Sequence, residues 1–257
     1  IALDRDPDAV AVASKRLEGY NATVIQSNFE DMDVALSKLG IDKADGILLD
    51  LGVSSYQLDN AERGFSFHKE APLDMRMSRT GPTAATLVNN LSREDLSDIF
   101  RDYGEERFAY RIAGASELSR KTAPIETTTQ LADIIAGAVP AAARRDGHPA
   151  RRCFQALRIA VNGELDNLKG VLDKAFDMLN KDGIFSIITF HSLEDRIVKK
   201  RFNKFCEGCI CPPEFPVCVC GRKPRGKLPF KWMAPTENEV GENFRAHSAR
   251  LRAIEKI

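Results

Sequence analysis

The sequence predicts an α/β fold: an open, mainly parallel sheet that carries an inserted helical domain. Three observations predict it. Ile1-Ala2-Leu3-Asp4 and Ile47-Leu48-Leu49-Asp50 are apolar runs that each end in a carboxylate, as buried strands do when they bring a side chain to the crevice at a sheet's carboxyl edge. Strand and helix patterns alternate as β-α-β-α-β up to Asp50, with crossovers short enough for right-handed parallel connections. From Pro82 to about Ala143 only helical periodicity is present, and the α/β signal returns after it.

The elements follow in order. Ile1–Leu3 reads as a strand. Asp6 before Pro7 is an N-cap followed by a proline at the first helical position; Val10, Ser14 and Leu17 form the helix stripe and Gly19 ends it. Thr23–Gln26 is a short strand, Met32–Leu39 a helix, and Gly46–Asp50 the next strand, expected at the middle of the sheet beside or nearly beside the first. Residues 52–79 lack periodicity but are too apolar for disorder, so a functional loop is expected. Thr83 and Ser92 are N-cap candidates in the helical stretch, and Thr129–Ala138 closes it before Pro140. Ala156–Leu179 reads as one long helix, Asn180–Gly183 as a turn, Ile184–Phe190 as a buried strand and Leu193–Phe205 as a basic helix. Ala249–Glu255 alternates with period two and reads as the last strand. The expected domains are therefore 1–80 with 150–257 for the sheet and 81–149 for the helical insertion, with a Cys-rich loop at 206–221. An α/β cofactor domain normally carries a Gly-rich turn after its first strand, and none precedes Asp4; about 40–50 further residues, one βα unit plus a leader, are expected ahead of Ile1.

The net charge is zero, but it is unevenly spread. Residues 1–100 hold 17 acids and 10 bases, and residues 101–257 hold 20 acids and 27 bases. Ten Lys/Arg fall between Arg196 and Lys231 against only Glu207 and Glu214, and Arg144, Arg145, Arg151 and Arg152 make a second cluster. Such tracts suit a polyanion such as RNA, although a solvated helix face is the simpler explanation of any one of them. No apolar run approaches the roughly 18 residues of a membrane span, and no signal peptide is visible, so a cytoplasmic protein is expected. Monomer and homodimer both stay open.

Four groups could carry chemistry. A carboxylate at Asp4 can accept from both hydroxyls of a ribose, as dehydrogenases also arrange. Asp50, followed by Gly52, would face the reactive end of a ligand. In Phe190-His191-Ser192-Leu193-Glu194-Asp195-Arg196, Ser192 with Asp195 reads as a capping box, which leaves His191 as a proton relay or phosphate contact, or simply a structural histidine. Five of the six cysteines lie between Cys206 and Cys220; Cys206, Cys209, Cys218 and Cys220 are the expected zinc ligands, with Cys211 the alternative, against reduced, unliganded thiols. Basic flanks would let such a knuckle touch RNA.

Seven strings are more specific than any of these: Asp50-Leu-Gly-Val-Ser-Ser-Tyr-Gln-Leu-Asp59, Arg63-Gly-Phe-Ser-Phe67, Pro72-Leu-Asp-Met-Arg-Met77, Tyr103-Gly-Glu-Glu-Arg-Phe-Ala109, Phe154-Gln-Ala-Leu-Arg-Ile159 with Asn162 and Glu164, Phe190-His-Ser-Leu-Glu-Asp-Arg196, and Arg245-Ala-His-Ser-Ala-Arg-Leu-Arg252. Together they resemble the bacterial small-subunit (16S) ribosomal RNA cytosine-N4 methyltransferase family, RsmH or MraW, nearly end to end. The resemblance implies a class I, Rossmann-like sheet with an inserted substrate-recognition domain. It implies an S-adenosylmethionine-dependent enzyme that methylates the exocyclic amine of a cytosine in the decoding centre, on free RNA or an assembled subunit. It also implies cofactor contacts at Asp4 (ribose), Phe29 (adenine), and Asp50 and Gln57 (adenine rim and methionine end). The Cys-rich loop occurs in only some relatives, so zinc is not implied. On this reading Asp50 is the catalytic candidate and His191 the second. Arg144, Arg145, Arg151, Arg152, Arg196, Lys199 and Lys200 hold the RNA backbone, and Phe65 and Phe67 either stack on the extruded base or fill a core. The alternative is a non-catalytic RNA-binding or ribosome-assembly protein on the same fold.

Overall fold

A computed structural model describes residues 1–144, 147–212, 215 and 217–257. The chain divides into two compact units, Ile1–Gly52 with Leu165–Ile257, and Val53–Glu164.

The first unit is built on parallel ladders. Strand β1 (Ala2–Asp4) leads into α1 (Pro7–Arg16), where the Asp6 side chain accepts from the Asp8 N–H at 3.0 Å as the sequence predicts. Strand β2 (Val24–Gln26) pairs parallel with β1, Asp4 opposite Gln26. After a 3-10 turn at Phe29–Asp31 and α2 (Met32–Ser37), β3 (Ala44–Asp50) pairs parallel with β4 (Leu179–Thr189), Asp50 opposite Ile188. β6 (Arg250–Lys256) returns antiparallel along β4 and pairs with the short β5 (Gly226–Lys227), giving the order β3-β4-β6-β5.

Strand β3 is thus an edge of this sheet, not its middle, and no ladder joins it to β1 among the described residues. Its burial alternates. Ile47 and Leu49 enter the core while Leu48 is 62% exposed, so its apolar run covers one face rather than two. The expected turn at Asn180–Gly183 lies inside β4. The register shifts there between the Ala44–Leu179 and Gly46–Ile184 pairs, and Asp182 takes φ +65°. The core gathers Leu168, Val171 and Phe176 from α9 (Glu164–Met178), Phe185 and Ile187 from β4, and Val198, Phe202 and Phe205 from α10 (Ser192–Cys206). Phe176 stacks on Phe205 with centroids 4.0 Å apart.

The second unit is helical. α3 (Ser55–Asp59) opens it, followed by α4 (Ala84–Asn90), α5 (Arg93–Gly104), α6 (Ala109–Arg120), α7 (Thr128–Ala138) and α8 (Ala150–Asn162). Thr83 and Ser92 cap α4 and α5, accepting from the Thr86 and Asp95 N–H groups. The Arg120 guanidinium donates to the Val88 and Leu91 carbonyls, satisfying acceptors that α4 leaves open at its end. Phe100, Ile112, Leu131, Ile135 and Leu157 fill its centre.

The unit boundaries differ from those expected, because residues 53–80 and 150–164 belong with the helices. The long aperiodic loop is ordered by burial and hydrogen bonds. Leu73, Met75 and Met77 enter the helical core, as does Phe65, with Phe67 packed against it. Phe67 stacks on His148 at 4.7 Å and meets Phe154 edge-on, so of the two roles open to these aromatics the structure gives both the packing one. Buried Asn162 accepts from the Met77 N–H at 2.9 Å and donates to the Met75 carbonyl at 2.7 Å. The single helix expected over 156–179 is two, broken at Gly163, whose φ of +60° suits glycine.

Candidate active site

Asp4, Phe29, Asp50 and His191 all follow the carboxyl ends of parallel strands in the first unit, where α/β sheets bind ligands. Asp4 ends β1 as an exposed residue whose carboxylate is partly buried; Oδ1 accepts the Asp6 N–H at 2.8 Å. Burial pushes its pKa above the ordinary carboxylate value, against the pull of that N–H. Phe29 begins the turn after β2 and is half-buried against the core.

Asp50 ends β3. Its backbone is held opposite Ile188, and the Leu51 N–H donates to the Ile188 carbonyl at 3.1 Å. The chain then turns at Gly52, φ +93°, with the Phe190 ring 3.8 Å from where a Cβ would stand. The Asp50 carboxylate is exposed and has no hydrogen-bond partner among the described residues. Desolvation by the surrounding protein raises its pKa, and the negative charge of Glu194 raises it further.

Glu194 is the residue that the sequence reading missed. The residue is 2% exposed at the start of α10, and Oε2 accepts the Phe190 N–H at 2.9 Å and the His191 N–H at 3.3 Å. His191, not Ser192, is the N-cap of α10, with an extended backbone at φ −141° and ψ 164°. Glu194, not Asp195, closes the cap at the third helical position. His191 Nε2 lies 3.2 Å from Glu194 Oε1 but out of line for a hydrogen bond, and Nδ1 has no hydrogen-bond partner among the described residues. An acidic residue three places after a strand-end His was the available signal.

Asp195 turns away to grip Arg252 through two hydrogen bonds, 2.6 Å from Nε and 3.0 Å from Nη2, with Arg250 at 3.2 Å. Burial opposes ionisation there, but Arg252 and Arg250 hold its pKa below the ordinary carboxylate value.

Gln57 belongs to the second unit. It is buried, and its Oε1 accepts the Ser54 N–H at 3.0 Å in a capping box, so that oxygen is engaged in shaping α3. Arg144, Arg151 and Arg152 are exposed in the second unit and Arg196, Lys199 and Lys200 in the first. Arg145 lies outside the described residues. Four thiols converge in the Cys-rich loop, but Cys206 is not one of them. It ends α10 packed against the core, and Cys211 takes its place beside Cys209, Cys218 and Cys220. No helix among the described residues is long and apolar enough to cross a membrane.

Parallel strand pairs that end in carboxylates at Asp4 and Asp50 are the arrangement found in α/β folds that bind nucleoside-bearing cofactors. The sequence matches the MraW methylase family over residues 1–257, and the chain belongs to that family. It is 50% identical over 262 residues to ribosomal RNA small subunit methyltransferase H of Lachnospira eligens, covering 100% of this chain and 83% of that protein. The same-named protein of Halothermothrix orenii is 51% identical over 261 residues, covering 100% and 84%. That of Clostridium botulinum strain Loch Maree is 50% identical over 260 residues, again covering 100% and 84%.

The chain is thus an S-adenosylmethionine-dependent methyltransferase. Its strand-end side chains fit that cofactor chemically. Exposed Asp4 suits ribose hydroxyls, half-buried Phe29 offers a ring for adenine, and Asp50 has an unengaged carboxylate. Replacing Glu194 with Gln keeps an acceptor oxygen but removes a negative charge near Asp50. The Asp50 pKa should then fall, which a carboxyl NMR titration of parent and variant checks. An unchanged Asp50 pKa would detach Glu194 from Asp50.

Proposed function

We propose that this chain methylates the exocyclic N4 amine of a cytosine in the decoding centre of small-subunit ribosomal RNA. Identity near one half across the whole chain to proteins named ribosomal RNA small subunit methyltransferase H carries the reading. It makes the enzyme cytoplasmic, where ribosomal subunits are built.

The chemistry is consistent with the residues present. A cytosine exocyclic amine is a poor nucleophile because its lone pair is delocalised into the ring. When bound, S-adenosylmethionine supplies a methyl group already activated by its sulfonium. The protein has to hold the amine in line, about 3 Å from that methyl, and accept a hydrogen bond from N–H as the lone pair localises. Asp50 is the acceptor on this reading, since its raised pKa makes it a better proton acceptor than an ordinary aspartate. Glu194 fixes the Phe190–His191 turn, and His191 is the second acceptor or a phosphate contact. Asp4 and Phe29 hold the adenosyl end, with Gln57 a further cofactor contact. The helical unit carries substrate recognition. The exposed arginines and lysines of both units bind the RNA backbone, so affinity should fall steeply with salt.

Incubation with S-adenosylmethionine and small-subunit RNA or assembled subunits, followed by nucleoside mass spectrometry, tests the reading. N4-methylcytidine is expected. A different methylated nucleoside would contradict the position, and none, with RNA bound, would favour the non-catalytic assembly factor.

A further inference from the structure

The Cys-rich loop has no part in methyl transfer as described, yet among the described residues it brings together four potential metal-ligating thiols. Four thiols, from Cys209, Cys211, Cys218 and Cys220, place their sulfurs within 4.8 Å of one another. Cys209 and Cys218 are 3.3 Å apart, Cys218 and Cys220 3.5 Å, and Cys209 and Cys220 3.7 Å. A disulfide needs about 2.05 Å, so none of these pairs is bonded. A tetrahedron with Zn–S bonds of about 2.3 Å has sulfur–sulfur edges of about 3.8 Å, close to the spacings seen.

Two further observations bear on the same atoms. The Cys211 N–H points at the Cys209 sulfur and the Val219 N–H at the Cys211 sulfur, each at 3.4 Å. Backbone N–H groups aimed at sulfur orient metal-ligating thiolates and offset their charge. Among its described residues the loop also lacks a core of its own. Ile210, Phe215, Val217 and Val219 are all more than half exposed, so apolar packing does not hold the four sulfurs together. A segment without a core needs another staple, and a metal ion is one.

We propose that Cys209, Cys211, Cys218 and Cys220 form a tetrathiolate site for one structural zinc ion. Four sulfurs this close fit a single tetrahedral ion. An iron–sulfur cluster spreads its cysteines over several irons and would hold them farther apart. Zinc, which has no redox chemistry, closes such a site with no open position. The ligands bind as thiolates and leave the ion wholly protein-ligated. The site fixes the Cys220–Gly221 turn and with it the run Arg222, Lys223, Arg225 and Lys227, which leads into β5 and its pairing with β6. This inference does not rest on the methyl-transfer reading.

The test is metal content of the purified full chain, with Cys211→Ser and Cys206→Ser compared. About one zinc per chain is expected in the parent, lost with Cys211→Ser and kept with Cys206→Ser. Cobalt exchanged for zinc should give the visible bands of a tetrahedral tetrathiolate, and chelation should expose residues 207–225 to protease while the rest resists. A folded, metal-free protein with all thiols titratable, a disulfide among these cysteines, iron in place of zinc, or equal zinc loss in both variants would overturn the site.

Discussion

Asp50→Asn is expected to fold as well as the parent and to lose methyl transfer by roughly 10²- to 10⁴-fold, the range for removing a positioned proton acceptor. Asparagine keeps the size and one acceptor oxygen but not the charge. Stability should be equal or higher at neutral pH. A carboxylate whose folded pKa is raised favours the folded state below its unfolded pKa and loses that contribution as pH climbs through the folded value. Above that window the ionised Asp50 is a cost that asparagine removes, as expected where function and stability compete. Single-turnover rates with thermal melts on the same samples check both halves. Wild-type turnover would remove Asp50 from the mechanism, and a lowered melting temperature would make its role structural.

The second large effect is on stability. Asp195→Ala should destabilise the chain by about 3–5 kcal/mol, the usual cost of stripping one partner from a buried ion pair. Arg252 is almost fully buried, and apart from Asp195 it donates to the Lys231 carbonyl at 2.8 Å. Loss of Asp195 leaves a desolvated guanidinium between α10 and β6. The sign with pH is opposite to that of Asp50. Because the folded pKa of Asp195 is lowered, its contribution is present above the unfolded value of about 4 and fades as pH falls through the folded value. Denaturant melts of parent and variant should therefore differ near neutrality and converge in acid. A variant as stable as the parent at pH 7 would contradict the pairing.

Local signals were legible in the sequence and long-range ones were not. The Asp6, Thr83 and Ser92 caps, and the strands ending at Asp4 and Asp50, are set by neighbours a few residues away, and each stands where periodicity and capping chemistry put it. The α10 cap stands one residue earlier than the sequence predicts, because Ser192 and Asp195 make an equally good local box. What decides is Arg252, 57 residues downstream, which takes Asp195 and leaves Glu194 to cap. The break at Gly163 was hidden because apolar spacing continues across it. The loop before α4 has no period, so its order is not legible locally. Its order comes from Asn162, some 85 residues away, and from a shared core. The sequence leaves the ligand set ambiguous between Cys206 and Cys211, and a helix end packed on the core carries Cys206 away from the other thiols.

The claim on which the rest depends is that Asp4 and Asp50 serve one adenosyl-bearing cofactor. Calorimetric titration of S-adenosylmethionine into the parent and into Asp4→Ala tests it most directly. The account predicts saturable binding to the parent and roughly 10- to 100-fold weaker binding to Asp4→Ala, the loss expected for charge-assisted hydrogen bonds to a ribose. Unchanged affinity in Asp4→Ala, or no binding to the parent, would contradict it.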